Sequence, residues 1–170
     1  MENPLSIANF FIEKSMEGTA ELTNMQAVKL TYIAHGWYLG MTGEPLINET
    51  TQAWKYGPVV QSVYEQFKRY GRQPITQLAY AVLPSGVTKN YPLSDADLVP
   101  FLEKIWQVYG GFTGSQLSDM THQPGTPWYE VWHHRGGKDS LDVPIPNHLI
   151  EQHYKYLVER NTSKVHAAGC

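Results

Sequence analysis

Apolar positions over the first forty residues recur at three- and four-residue steps. Leu5, Ala8, Phe11 and Ile12 share one face of Pro4–Glu17, which predicts a helix that Gly18 ends. Thr23 and Gln26 have capping-box spacing and open a second helix. Met25, Val28, Tyr32, Ile33 and Trp37 form one stripe along it, and Leu30, Ala34 and Met41 form another. A helix apolar on two sides belongs at the centre of a bundle. Thr42-Gly43-Glu44-Pro45 is turn chemistry and closes it.

The period then changes. Leu46 to Asn48 reads as a short strand antiparallel to Gln52–Tyr56. A Gly57-Pro58 corner follows, then a helix with Pro58 at its first position and Val60, Val63, Tyr64, Phe67 and Tyr70 on one face. Lys68, Arg69 and Arg72 fall at its end, where cations complement the helix dipole, and Gly71 stops it. Leu78 to Leu83 is compatible with a strand and Pro84-Ser85-Gly86 with a turn, giving either a second hairpin or a surface excursion. Ser94-Asp95-Ala96-Asp97 caps a helix whose stripe is Leu98, Phe101, Leu102, Ile105 and Tyr109.

Thr113 and Gln116 repeat the capping-box spacing, and Thr126-Pro127 starts a helix with Trp128 and Trp132 one turn apart. Arg135 to Pro144 reads as a polar loop, and Pro146-Asn147 opens a last helix. Asn161 to Cys170 reads as a flexible tail behind a single domain over residues 1–160. The expected fold is mainly α, a compact bundle of about six helices with one or two short β-hairpins.

Composition narrows the function classes. A chain of 170 residues is long enough for one domain with a real core. It has no apolar run of membrane-spanning length and no signal-peptide pattern, and its one cysteine is Cys170. These features point to a cytoplasmic protein without an internal disulfide. A net charge of −3 argues against general nucleic-acid binding. The charge is uneven: residues 1–49 sum to −4, residues 50–72 to +3 and the remainder to −2. Lys55, Lys68, Arg69 and Arg72 therefore form a basic stretch that is either a solvated helix end or an edge facing an acidic partner.

Catalytic and metal motifs are thin. No Cys-x-x-Cys, His-Glu-x-x-His, Gly-x-Ser-x-Gly, Walker or Gly-x-Gly-x-x-Gly pattern occurs, so no cofactor and no metal is expected. The Gly57-Pro58 corner offers backbone N–H groups of Val59 and Val60 to an anion, or is simply structural. One enzymatic reading stays open, a histidine-centred site near His122 and His133. The 21 aromatics are more telling, because Trp and Tyr suit interfaces as well as cores.

Several motif blocks occur in order. They are Lys29-Leu30-x-Tyr32, Gly43-x-Pro45-Leu46, Ala53-Trp54-x-Tyr56-Gly57-Pro58-Val59 with Tyr64, Tyr109-Gly110, Leu117-Ser118-x-x-Thr121-His122 and Pro127-Trp128. Together they resemble the Panacea domain of the SocA-like antitoxins, a family that includes the phage-associated GepA proteins. The resemblance implies a non-enzymatic protein that binds a toxin encoded by a neighbouring gene. It also implies delivery of that toxin to a ClpXP-type protease as one route of neutralisation. A phage-encoded inhibitor of a host defence protein is the alternative within the same binding mechanism. The candidate partner-binding residues are Trp54, Lys55, Tyr56, Pro58, Lys68, Arg69, Arg72, His122 and Trp128.

Overall fold

The helix α2, Asn24–Thr42, is the axle of the fold. Its N-terminus closes with the predicted capping box of Thr23 and Gln26, and its C-terminus with Gly43 at φ +76. It is buried on nearly every side and packs against α1 (Pro4–Glu17), α3 (Gln61–Phe67), α4 (Val99–Tyr109), α5 (Gly114–Thr121) and α7 (Asn147–Ala168). The two apolar stripes require this placement, since each must be covered by a different neighbour. The sixth helix, α6, spans Pro127–His134. The computed structural model describes the backbone of residues 1–168 and the side chains through Lys164. The fold is mainly α, with a few short antiparallel strands. No described helix is long and apolar enough to cross a membrane.

Two small sheets decorate this frame. Strand β1 (Gln52–Trp54) lies between β2 (Gly57–Val59) and β5 (Val143–Pro144), antiparallel to both. β3 (Tyr80–Val82) and β4 (Thr88–Asn90) pair only with each other, so Leu78–Leu83 resolves as a hairpin.

Several local expectations give way to tertiary contacts. Leu46–Asn48 does not pair with β1. Ile47 instead forms a parallel bridge with Glu2, whose buried carboxylate accepts from the Ser94 N–H, the Ser94 hydroxyl and the Asp95 N–H. Pro58 is not the first residue of a helix. It sits in β2 opposite Ala53, and α3 starts only at Gln61. Pro58 is tolerated because β2 is an edge strand. The helix expected to run to Tyr70 ends at Phe67, and Lys68–Tyr70 tighten into a 3-10 turn. The polar loop before α7 contributes β5. The stretch from Asn161, expected as a tail, continues α7 through Ala168, while Gly169 and Cys170 lie outside the described residues.

The approach of α7 to α2 depends on two glycines that hydrophobic periodicity passes over. A Cβ on Gly36 would collide with the Tyr154 ring, and one on Gly40 would stand 2.6 Å from the Tyr154 backbone carbonyl carbon. Tyr154 is buried there, edge-on to Trp37 at 5.4 Å. Substituting Gly36→Ala should lower unfolding stability by about 1–3 kcal/mol, the usual cost of overpacking a tight core. Gly40→Ala should cost at least as much, because backbone yields less readily than a ring. Gly111 has open space around its Cβ position, so Gly111→Ala should stay within about 1 kcal/mol of the parent. Urea unfolding of the three variants is the check.

Candidate partner-binding site

Strands β1 and β2 form a tight hairpin whose register pairs Trp54 with Gly57 and leaves Lys55 and Tyr56 at the tip. Two-residue loops usually need positive φ at the tip residues. Asp142 is the one non-glycine with positive φ among the described residues, so Lys55 and Tyr56 keep ordinary backbone. Gly57, at φ +107, takes the reversal instead.

Three side chains from three helices hold this hairpin by alternate carbonyls. Lys29 Nζ, on α2, donates to the Pro58 carbonyl at 2.8 Å. Ser118 Oγ, on α5, donates to the Tyr56 carbonyl at 2.6 Å. Trp128 Nε1, on α6, donates to the Trp54 carbonyl at 2.7 Å. Lys29 is only 2% exposed, and burial pulls its pKa down from the usual 10.5 to about 7. A Cβ on Gly57 would stand 2.7 Å from Lys29 Nζ and 3.3 Å from Thr121 Oγ1. Gly57 is thus required twice, for its backbone angle and for the space the lysine occupies.

Above this interior clamp, the tip is open to solvent. Tyr56 is 61% exposed, with Lys55 Nζ 5.3 Å from its ring centroid. Trp54 is half-buried, edge-on to Tyr64 at 4.9 Å, and donates through Nε1 to Gln52 Oε1 at 2.9 Å. A groove of about 410 Å³ runs beside the hairpin, lined by Trp54, Lys55, Trp132, Lys138 and the almost fully exposed Leu141. Trp132 stacks on Trp128 at 5.3 Å, which continues the aromatic layer inward from the groove.

The sequence-derived candidates divide into three groups. Trp54, Lys55 and Tyr56 gather at the hairpin tip and groove. Pro58 and Trp128 are buried and act on the hairpin rather than on solvent. His122 is half-buried against Trp128, with ring centroids 5.3 Å apart. Lys68, Arg69 and Arg72 are exposed one turn beyond Tyr64. Lys68 is ion-paired with Glu65, and Arg69 lies over Tyr70 and interacts with Tyr80 of β3. Arg69 is therefore beside β3, and none of the three basic residues lines the groove at the β1–β2 tip.

His122 has Ser118 Oγ 3.4 Å from Nδ1 and Asp119 3.7 Å from Nε2. The grouping does not make a hydrolytic triad. The serine proton is committed to the Tyr56 carbonyl, the serine is buried, and the groove beside the hairpin is not lined by any of the three. No described group of three or more His, Cys, Asp or Glu is placed to hold a metal. Lys29 and Ser118 were legible only as motif residues. The available physical signal was a lysine between Val28 and Leu30 on a doubly apolar helix, which forces a buried charge.

The Lys29 shift carries a pH dependence. Unfolded, the lysine returns to its ordinary pKa near 10.5, whereas folded it titrates near 7. Between those values the unfolded chain binds more protons, so stability rises with pH across that window and the burial penalty is complete below it. The slope from this group approaches about 1.4 kcal/mol per pH unit at its steepest. Urea unfolding between neutral and mildly alkaline pH should show the rise in the parent and a flatter profile in Lys29→Met.

Comparison with known proteins covers this same clamp. The family model described as "Antitoxin SocA-like, Panacea domain" matches residues 28–129, from one residue before Lys29 to one residue after Trp128. Antitoxin SocA of Caulobacter vibrioides (strain NA1000 / CB15N) is 29% identical over 153 residues, which is 89% of this chain and 81% of the relative. No solved structure gives a significant match. Since the family model covers more than half of the sequence and spans the whole hairpin clamp, the chain belongs to the SocA-like antitoxin family with a Panacea domain.

Proposed function

We propose that this protein is an antitoxin that neutralises a protein toxin by binding it directly, with Tyr56 and Lys55 at the centre of the contact and Trp54 and the adjoining groove around them. The toxin is the product of a neighbouring gene. The single observation that carries the reading is the exposure of Tyr56. Among the side chains of the quoted motif blocks it is the one that is exposed, and it sits on a backbone held by three interior donors. An aromatic side chain on a fixed backbone loses little entropy on binding, which makes it an effective anchor. Membership of the SocA-like family and the 29% identity to an antitoxin support the same reading. A non-enzymatic role fits a site whose polar groups are spent on holding backbone.

The test is co-expression with the neighbouring open reading frame. The neighbour should arrest growth alone, and this protein should restore it. Lys55→Glu with Tyr56→Ser should weaken toxin binding about tenfold or more, as loss of an interface anchor does. The melting temperature should stay at the parental value, because both side chains lie outside the core. Undiminished binding by the double variant would remove the tip from the mechanism, and a harmless neighbour would remove the toxin. Toxin abundance separates two routes. Blocking leaves the toxin level unchanged, whereas delivery to a ClpXP-type protease lowers it.

A further inference from the structure

Residues 66–94 contain Lys68, Arg69, Arg72 and Lys89 and not one Asp or Glu, in a chain whose net charge is −3. The fold keeps Phe67, Ile75 and Ala79 of this segment in the core and projects only the β3–β4 hairpin from it. Its root is fixed: the buried Asn9 of α1 donates through Nδ2 to the Ala79 carbonyl at 3.1 Å and accepts from the Ala79 N–H at 2.7 Å. The Ile75 N–H donates to the Leu22 carbonyl at 2.8 Å. Beyond Ala79 the chain leaves the core, and β4 is exposed along its whole length. A lone two-stranded ribbon is marginal in water unless something packs on it.

The ribbon carries the apolar surface such packing needs. Val82 is 65% exposed, Val87 60% and Leu83 40%, and the three surround one turn. That turn is closed by the Leu83 N–H donating to the Val87 carbonyl at 2.9 Å, with Gly86 at φ +81. At the base, Arg69 lies against Tyr70 and interacts with Tyr80 of β3. Among the described residues Arg69, Arg72 and Lys89 enter no ion pair.

We infer that the β3–β4 hairpin is a second docking surface, separate from the β1–β2 tip, for a protein partner that offers an extended segment alternating apolar and acidic side chains. Val82, Leu83 and Val87 pack on its apolar side chains, and Arg69, Arg72 and Lys89 meet its carboxylates. Charge complementarity selects this occupant. A second copy packed hairpin to hairpin would set two segments of four cations and no acid against each other. Nucleic acid is disfavoured because phosphates would need cations at the projecting turn, where the three large side chains are aliphatic.

The inference is tested by fluorescence anisotropy with the full chain and three labelled probes: a short peptide alternating leucine and glutamate, its leucine–lysine counterpart, and a DNA duplex. The glutamate peptide should bind, more weakly as salt is raised, and the lysine peptide should not. Val82→Ser with Val87→Ser, and separately Arg72→Glu with Lys89→Glu, should each weaken binding roughly tenfold or more. Both variants should melt with the parent, since these side chains are exposed. Tyr56→Ser should leave peptide binding unchanged, which keeps this result independent of the toxin contact. Absent binding, or binding indifferent to the hairpin substitutions, overturns the inference. Preferred binding of the duplex would assign the face to nucleic acid, and a dimer dissolved by the same substitutions would assign it to a second copy; either result also overturns it.

Discussion

The buried bond from Lys29 Nζ to the Pro58 carbonyl is the constraint on which the β1–β2 end of the molecule depends. A lysine placed in the middle of a core helix has few options. It must be paired, neutralised or hydrogen-bonded to backbone. With the burial of α2 dictated by its two apolar stripes, the lysine can reach only what lies against α2 at that level, and that is the hairpin. The same atom forbids any side chain on Gly57, and Gly57 in turn supplies the backbone angle that closes the loop. Core helix, glycine and turn therefore specify one another. Ser118 and Trp128 repeat the device from α5 and α6, so the hairpin is attached to the frame by side chains rather than by a long strand ladder.

Most of the helical frame was legible in the sequence because local signals and tertiary demands agree. Capping boxes at Thr23 and Thr113 and the Thr126-Pro127 start all form as their spacing predicts. The misreadings fall where a local rule met a tertiary competitor. Gly57-Pro58 has ordinary chemistry for a strand-to-helix corner, yet Lys29 and the β1 register claim Pro58 for a strand. Leu46–Asn48 had a nearby strand to pair with, yet Glu2 takes Ile47, a pairing across more than forty residues that no local pattern announces. β5 is two residues long and includes a proline, so it has no periodicity to read. Of the candidate residues, Trp54, Lys55 and Tyr56 lie together, while Lys68, Arg69 and Arg72 lie in and after the turn that ends α3, where Lys68 pairs with Glu65 and Arg69 interacts with Tyr80.

The two hairpins share a construction and differ in surface. Each is rooted by interior side chains bonded to its backbone, Lys29, Ser118 and Trp128 for β1–β2 and Asn9 for β3–β4. Rooting through backbone atoms leaves the exposed side chains free of structural duty. One hairpin presents an aromatic tip beside a tryptophan-lined groove, and the other an aliphatic turn above a basic base. The exposed side chains can therefore be replaced without disturbing what holds each hairpin, because the bonds that fix it run to backbone atoms.

That separation explains what a family resemblance can and cannot carry here. Lys29, Gly57, Pro58, Ser118, Thr121 and Trp128 are all quoted in the motif blocks, and all lie in the interior at or beside the clamp. Their shared appearance in a sequence reports a shared frame and names no partner. Tyr56 is different. Its carbonyl is part of the clamp, and any residue would supply that carbonyl. Its ring is exposed, stands outside the core and has the Lys55 ammonium 5.3 Å from its centroid. A large aromatic outside the core, on a backbone that three helices combine to hold, has the character of an interface anchor, and on that ground Tyr56 is proposed as the contact.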